Sequence, residues 1–354
     1  MSERAFGTIG SSMAADSDPS EALDPSGPVA SGVGARIGSV VGTGFAVAAL
    51  AFVFKTLSRE WEQAEAQLRA ARPGWLLVAV VLAGLAMTSI GVVWGRVLHQ
   101  LGVAVKATRV VSWYFVGELG KYLPGGVWPV VGRGELARRG GVPRTRAYTS
   151  VALSLGMLYL AAMFVVAALV PFALAEGGFT PWMLFLLALP VGVVGLHHRV
   201  LEWLLAVVRR FTGRVVHLDV PRWRQSLGLV AMYIPTWVGI GLSTWAVARA
   251  LTPDAPLVRV AFAAVLSWVA GFLAVPVPAG AGIREAVLLA ASGLDGGVAA
   301  ATAIVARLIF VAVDALGAVS GAPAATRRRG GVQVGPMGES VESMERPGQG
   351  LGPE

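Results

Sequence analysis

The sequence contains no cysteine and few charged residues. Without cysteine, the chain can form neither a disulfide nor a thiolate metal site. Asp, Glu, Lys and Arg together make up 14% of the residues, whereas a soluble domain carries about a quarter. The histidines show no H-x-x-x-H or H-E-x-x-H spacing, so no metal site is indicated. These shortages exclude an ordinary soluble domain, and we expect no cofactor.

What the chain has instead is long apolar runs. Hydrophobic residues make up 55% of the sequence, and the mean hydropathy is +0.67. About 20 apolar residues in a helix cross a bilayer core of about 30 Å. We therefore predict an all-α polytopic membrane protein with about six to eight transmembrane helices. The apolar runs lie near 37–54, 75–94, 147–174, 181–196, 226–247, 257–276 and 298–321.

The two ends of the chain differ from the middle in composition. Residues 1–34 are rich in Ser, Gly, Pro and Asp, and residues 323–354 combine a triple arginine with Gly, Pro and Glu. Such segments cannot bury enough apolar surface to fold. We expect two disordered tails around a transmembrane domain at 35–322, and no cleaved signal peptide.

The net charge is +8, and the basic residues cluster beside the apolar runs. The positive-inside rule then places loops 96–146 and 199–224, and both termini, in the cytoplasm of a multi-pass protein of the cytoplasmic (inner) membrane. Loop 55–74 is a conflict, because it is also basic but alternation places it outside. No basic domain stands apart from the membrane, so nucleic acid is not an expected partner.

Two polar, glycine-rich stretches interrupt the apolar runs: GELGKYLPGGVWPVVGRGE at 117–135 and PVPAGAGIRE at 276–285. Lipid cannot hydrogen-bond an open backbone, so such breaks survive at membrane depth only inside protein or beside a water-filled cavity. They predict a transport site between two re-entrant hairpins, 110–137 and 257–293, which enter from opposite faces as an inverted repeat would. The bend residues expected at this site are Pro124, Gly125, Gly126, Pro276, Pro278, Gly280 and Gly282.

Charged residues surround the first break. Glu118 and Lys121 are three residues apart and so share a helix face. A charge at the bilayer centre costs about 2.5–3.5 kcal/mol or more and is usually paired and functional. One interpretation is that Lys121 and Arg133 bind a phosphate while Glu118 balances their charge. The other is an interfacial loop with solvated charges.

The second break and the last apolar run carry four more charged residues. Arg284 could bind phosphate with Glu285 as its partner, or the two could be a surface arginine and a helix cap. Arg307 and Asp314 are seven residues apart and share a face, so they are either pathway residues or an internal ion pair. Arginine suits phosphate because it binds it bidentately.

Hydroxyl residues in the apolar runs predict structure rather than chemistry. Ser154, Ser243 and Ser267 are expected to bond the preceding turn of their own helices. The sequence has neither a G-x-S-x-G nucleophile motif nor a Walker A loop. We therefore expect a transporter rather than an enzyme.

The segments GELGKYLPGGVWPVVGRGELARRGGV and VPVPAGAGIREAVLL resemble the two signatures of the flippase-like, or lysylphosphatidylglycerol synthase transmembrane-region, family. The resemblance covers roughly 37–321 and implies a helical bundle with re-entrant segments. The best-known member flips an aminoacylated phosphatidylglycerol and carries an aminoacyl-transfer domain, which we do not expect here because both tails are short. A departure is Ala279, where relatives more often have glycine. The matching positions are Glu118, Pro124, Gly125, Gly126, Arg133, Pro276, Pro278, Gly280, Gly282, Glu285 and, less closely, Arg307.

Three hypotheses remain open at the level of sequence. The first is a translocase for a phosphate-containing lipid headgroup, its substrate an anionic or polyprenyl-phosphate lipid. The second is an enzyme or membrane subunit of prenyl-linked or aminoacyl lipid or glycan metabolism, for which Glu118 and Glu285 are the candidate bases. The third is a non-transporting partner of a glycosyltransferase. A homo-oligomer is compatible with each.

Overall fold

The computed structural model describes residues 69, 71–123, 127–175, 223–273, 280, 282–326 and 332–335. The predicted apolar runs at 37–54 and 181–196, and most of both tails, lie outside these residues. The bend residues Pro124, Gly125, Gly126, Pro276 and Pro278 also lie outside them.

Helices make up nearly all of the described structure. In chain order they are α1 (Pro73–Gln100), α2 (Ala107–Glu118), a 3-10 turn (Leu119–Tyr122), α3 (Trp128–Arg139), α4 (Arg144–Ala175), α5 (Trp223–Leu251), α6 (Leu257–Leu273), α7 (Ile283–Ala291) and α8 (Gly296–Thr326). Two short strands, β1 (Val103–Val105) and β2 (Val332–Val334), form an antiparallel pair.

Four of the described helices, α1, α4, α5 and α8, are long and apolar enough to cross a membrane. They coincide with the runs predicted at 75–94, 147–174, 226–247 and 298–321 because long unbroken apolar sequence is the signal that composition shows most clearly. The prediction of an all-α polytopic membrane protein is confirmed. Helix α6 is apolar but shorter, with 17 residues.

Helices α1 and α5 form the central antiparallel pair. The backbone N–H of Arg72, at the start of α1, donates to the carbonyl of Ala250, at the end of α5, at 3.0 Å. Further along, the hydroxyls of Ser89 and Thr236 lie 2.6 Å apart. Lipid supplies no hydrophobic force between helices, so such hydrogen bonds and close packing hold them together. Because the start of α1 meets the end of α5, the C-terminal ends of these two helices lie at opposite ends of the bundle.

Helices α2 and α3 pack side by side as a first hairpin, residues 107–139. A methyl group on Gly117 would lie 2.8 Å from the backbone nitrogen of Arg133, and one on Gly120 would lie 2.8 Å from the carbonyl carbon of Trp128. The residue numbers rise from Gly117 to Gly120 on the first side while those of their partners fall from Arg133 to Trp128, so the two arms are antiparallel. Each arm has 12 residues, about 18 Å at 1.5 Å per residue, which is too short to span a bilayer.

Helices α6 and α7 form a second hairpin, residues 257–291. Near its bend, Gly271 packs against Gly280 and the stem of Arg284, and near its other end Arg259 packs against Gly293. Gly280 has φ of 67°, and a methyl group there would lie 2.6 Å from the Cα of Gly271. Both the left-handed backbone and the close approach require glycine at this position.

The two hairpins enter the bundle from opposite ends, because the first follows α1 and the second follows α5. They also share a packing detail. In each hairpin an arginine of the second arm lies on a glycine of the first, Arg133 on Gly117 and Arg284 on Gly271. This is the arrangement that an inverted repeat would have, and re-entry of the hairpins into a membrane stays a prediction.

The strand pair joins two distant parts of the chain. Val103 pairs with Val334, and Nη1 of Arg146 donates to the carbonyls of Gly102 and Gly335 at 3.3 and 3.1 Å. The sequence analysis did not predict β2, which lies in the range 323–354 that we expected to be disordered, or the extension of α8 to Thr326. Local composition could not show a strand whose partner is so far away in sequence.

Serine side chains in the bundle depart from the expectation in two of three cases. Ser267 donates to the carbonyl of Ala264 in its own helix, as predicted. Ser154 instead pairs with the hydroxyl of Tyr233 at 2.6 Å, and Ser243 donates to the carbonyl of Ala79 on α1. The prediction was wrong for these two because a neighbouring helix lies within reach of each hydroxyl.

We expect Gly117→Ala to destabilise the protein. The added methyl would collide with the backbone of the other arm, and overpacking of this kind costs about 1–3 kcal/mol. Gly156→Ala in α4 is the matched control, because a methyl there meets nothing within 4 Å, and alanine favours a helix by up to about 1 kcal/mol. Thermal unfolding in detergent measures both, and equal melting temperatures would contradict the packing argument.

Candidate functional site

Glu118, Lys121 and Arg133 meet at the bend of the first hairpin. The carboxylate of Glu118 pairs with Arg133 and accepts a hydrogen bond from Nζ of Lys121 at 3.3 Å. Glu118 is 8% exposed and Arg133 3%, and Arg133 also lies over the ring of Tyr114, 4.7 Å from its centroid. A charge buried this deeply requires its partner. Arg133 is therefore held by Glu118 rather than presented to a ligand.

Lys121 connects the first hairpin to α8. Its Nζ lies 2.6 Å from Oδ2 of Asp314. Asp314 is fully buried, and the same oxygen accepts a hydrogen bond from the hydroxyl of Tyr122 at 2.8 Å. The partner of Asp314 is thus the bend of the first hairpin.

Glu285 connects the second hairpin to α8. Oε2 accepts the backbone N–H of Gly282 at 2.5 Å, which caps the start of α7, and Oε1 accepts Nη1 of Arg307 at 3.0 Å. Of the two interpretations drawn from the sequence, the helix cap describes Glu285, whereas the interpretation that pairs it with Arg284 does not, because its ion-pair partner is Arg307. Arg307 and Asp314 do share a face of α8, yet each is engaged by a different hairpin.

The guanidinium of Arg284 lies on the face of Trp268, with Cζ 3.7 Å from the ring centroid. Within the part of the chain that the structure describes, no carboxylate lies within ion-pair distance of Arg284. The rest of the bend, 274–279 and 281, contains no charged residue in its sequence. A half-buried cation therefore stands at this bend with an aromatic partner rather than an acidic one.

Trp268 is the point at which the two bends meet. Nζ of Lys121 lies 5.4 Å from its ring centroid, on the side of the first hairpin, and Arg284 covers its face. The ring also packs edge-on against Phe310 at 5.1 Å. Sequence reasoning missed Trp268, because an aromatic residue in an apolar run is normally a core residue. The only signal was its position eight residues before Pro276, in the arm that leads into the break.

A partly enclosed cavity of about 30 Å³ lies beside Trp268. That volume admits about two water molecules, so a larger molecule enters only if the walls move. The polar part of its lining consists of Thr244, Ser267, Trp268, Arg284, Glu285 and Arg307.

The predicted site residues that the structure describes fall into three groups. Lys121, Arg284, Glu285, Arg307 and Asp314 surround Trp268 or bind residues that do. Glu118 and Arg133 form a buried pair next to Lys121, and Gly280 and Gly282 shape the second bend.

This geometry defines the class of protein as a polytopic helical membrane protein with two opposed, broken hairpins and a charged interior. Its residues 39–319 match the family described as the lysylphosphatidylglycerol synthase TM region. The match covers most of the chain, so the protein belongs to that family. A search of curated proteins gave no match.

We expect Glu118→Gln to destabilise the protein far more than Glu135→Gln. Both carboxylates are in the first hairpin and both contact two cations, in the case of the half-buried Glu135 the exposed Arg138 and Arg139. Removing one partner of a buried pair costs about 3–5 kcal/mol, whereas an exposed pair contributes about 0–1 kcal/mol.

Thermal or denaturant unfolding in detergent measures the two variants against the native protein. Equal losses of stability would show that the Glu118–Arg133 pair is not buried as described.

Proposed function

We propose that this protein is a lipid translocase that moves a phosphate-containing headgroup across the cytoplasmic membrane while the lipid tails stay in the bilayer. Membership of the lysylphosphatidylglycerol synthase TM region family supports a function related to membrane lipids. The observation that carries the finer proposal is that two hairpins from opposite ends of the bundle bring Lys121 and Arg284 to one tryptophan, Trp268.

The cost of burying charge supports this proposal. Ionisable side chains within membrane helices are expensive and mark pathways for polar substrates or ions. Here Lys121 and Arg284 lie at the bends of two broken helices, and Arg307 of α8 lines the same cavity as Arg284. Transporters place their substrate sites at such breaks. Ion pairs to α8 account for Lys121 and Arg307, whereas Arg284 has no described carboxylate partner.

The arrangement suggests a role for each residue. Arg284 offers its guanidinium to the phosphate, because its present partner is an aromatic ring. Arg307 can reach the same phosphate beside Glu285. Lys121 can exchange Asp314 for the phosphate when a headgroup arrives. Arg133, which the sequence placed among the phosphate ligands, serves instead to hold the first hairpin together through Glu118.

Movement of the hairpins would open the path. The cavity of about 30 Å³ is too small for a headgroup, so this conformation is a closed one in the proposed cycle. Opening one hairpin at a time would expose Arg284 first to one side of the membrane and then to the other. The contacts that would break are the ion pairs to α8, Lys121–Asp314 and Arg307–Glu285.

The enzyme hypothesis is the weaker one on this geometry. Its candidate general bases are Glu118 and Glu285, and each already accepts a hydrogen bond from an arginine. A base held in this way is poorly placed to take a proton from a substrate. Formation of a headgroup-transfer product by the purified protein would favour the enzyme over the translocase.

We expect Arg284→Ala to abolish headgroup movement without unfolding the protein. The measurement is the transfer of an acyl-labelled phosphatidylglycerol between leaflets of proteoliposomes, followed by quenching of the outer-leaflet label. Arg138→Ala is the control, because this arginine is exposed and pairs only with Glu135 among the contacts shown. Wild-type movement by Arg284→Ala, or equal loss in both variants, would contradict the assignment of the site.

A further inference from the structure

The charges around Trp268 do not balance. The cations of the two bends and α8 are Lys121, Arg133, Arg284 and Arg307, and the anions are Glu118, Glu285 and Asp314. Four positive and three negative charges leave one positive charge in excess among the described residues.

The contacts assign this excess to Arg284. Each of the three carboxylates is already bound by a cation: Glu118 by Arg133 and Lys121, Asp314 by Lys121, and Glu285 by Arg307. Arg284 lies on Trp268, where the ring face attracts a cation but supplies no compensating charge. It also lines the cavity, so its charge faces the space into which a ligand would come.

We propose that the site binds a phosphodiester monoanion whose polar part beyond the phosphate is uncharged, such as a polyol or a sugar, and that it rejects an aminoacylated headgroup. This inference rests on the proposed function for the location of the site. The inference specifies the net charge of the substrate, because a single negative charge would neutralise Arg284, the one described cation without a carboxylate partner.

The carboxylates explain the rejection of an amine. A lysyl group brings positive charge and needs a carboxylate, and each described carboxylate of the site is already paired with a cation. Oδ1 of Asp314 has no hydrogen-bond partner, but it is buried away from solvent. It would also stand beside Arg284 and Arg307, and like charges close together in a poorly solvated site repel strongly. A phosphomonoester carries a second negative charge, for which the described residues of the site offer no second unbalanced cation.

The hydroxyl groups of the lining fit a polyol or a sugar. Thr244 donates its proton to the carbonyl of Ile240, and Ser267 donates to that of Ala264. Their oxygens are thereby left as acceptors on the cavity wall, and a hydroxyl of the headgroup can donate to them. Phosphatidylglycerol and a prenyl-phosphate sugar share this chemistry, an anionic diester followed by hydroxyls.

Binding can be measured without transport. The full protein in phosphatidylcholine nanodiscs is titrated with dioctanoyl phosphatidylglycerol, its lysyl ester, dioctanoyl phosphatidate and a short prenyl-phosphate glucose, and bound lipid is counted by native mass spectrometry. We expect one or both phosphodiesters with hydroxyl headgroups to bind at least about tenfold more tightly than the lysyl ester and phosphatidate. Whichever of the two binds more tightly identifies the lipid source. Equal or tighter binding of the lysyl ester overturns the inference.

Variants of Arg284 make the test specific. Arg284→Gln should weaken phosphodiester binding by about a factor of ten to a hundred, the loss of a charge-assisted hydrogen bond, and Arg138→Gln should not. Arg284→Glu should reverse the preference in favour of the lysyl ester, a gain that misfolding cannot produce. An unchanged preference in Arg284→Glu overturns the inference.

The same experiments separate this inference from the proposed function. Selective binding of a phosphodiester without movement in proteoliposomes refutes the translocase and leaves the charge assignment standing. Equal movement of phosphatidylglycerol and its lysyl ester supports the translocase and refutes the charge assignment.

Discussion

The structure depends on the pairing of charges inside an apolar helix bundle. An unpaired ion in such surroundings is costly, so each buried charge fixes the position of another. Helix α8 supplies Asp314 to the first hairpin and Arg307 to the second. Through these two residues, one helix holds both bends against the same tryptophan. The distance between the bends is therefore set by two turns of α8, and the shape of the cavity follows from it.

Much of this fold is readable from the sequence because it follows from composition. The spanning helices appear as unbroken apolar runs, and the bends appear as Pro and Gly among charges. The partners of the charges are a different matter. Arg307 and Asp314 share a face, which suggested a mutual pair as one alternative, and only the positions of Lys121 and Glu285 show that each has another partner. In the sequence, nothing distinguishes Trp268 from an ordinary core residue. It becomes distinctive only in the folded chain, where Lys121 and Arg284, which are far apart in sequence, both lie near its ring.

The two hairpins share a packing detail although their sequences are not visibly alike. The halves are not visibly alike beyond their broken segments, yet Gly117 and Gly271 each accept the stem of an arginine from the opposite arm. What both hairpins need is close approach of two short helices, and glycine in one arm meets that need whatever the other residues are. The two arginines differ in their contacts: Arg133 is neutralised by Glu118, and Arg284 is not neutralised by a described carboxylate.

Under the proposed function, that difference is what lets the site bind an anion. If the second hairpin had a counterpart of Glu118 facing Arg284, every charge would be satisfied and the interior would be a structural core without affinity for an anion. If none of the cations were paired, the interior would hold phosphate too tightly to release it, whereas passage requires a site that is favourable enough to enter and weak enough to leave. Three paired carboxylates and one arginine without a described carboxylate lie between these limits. In the proposed cycle the pairs hold the hairpins in place while the site is empty, and the remaining cation would attract the anionic headgroup.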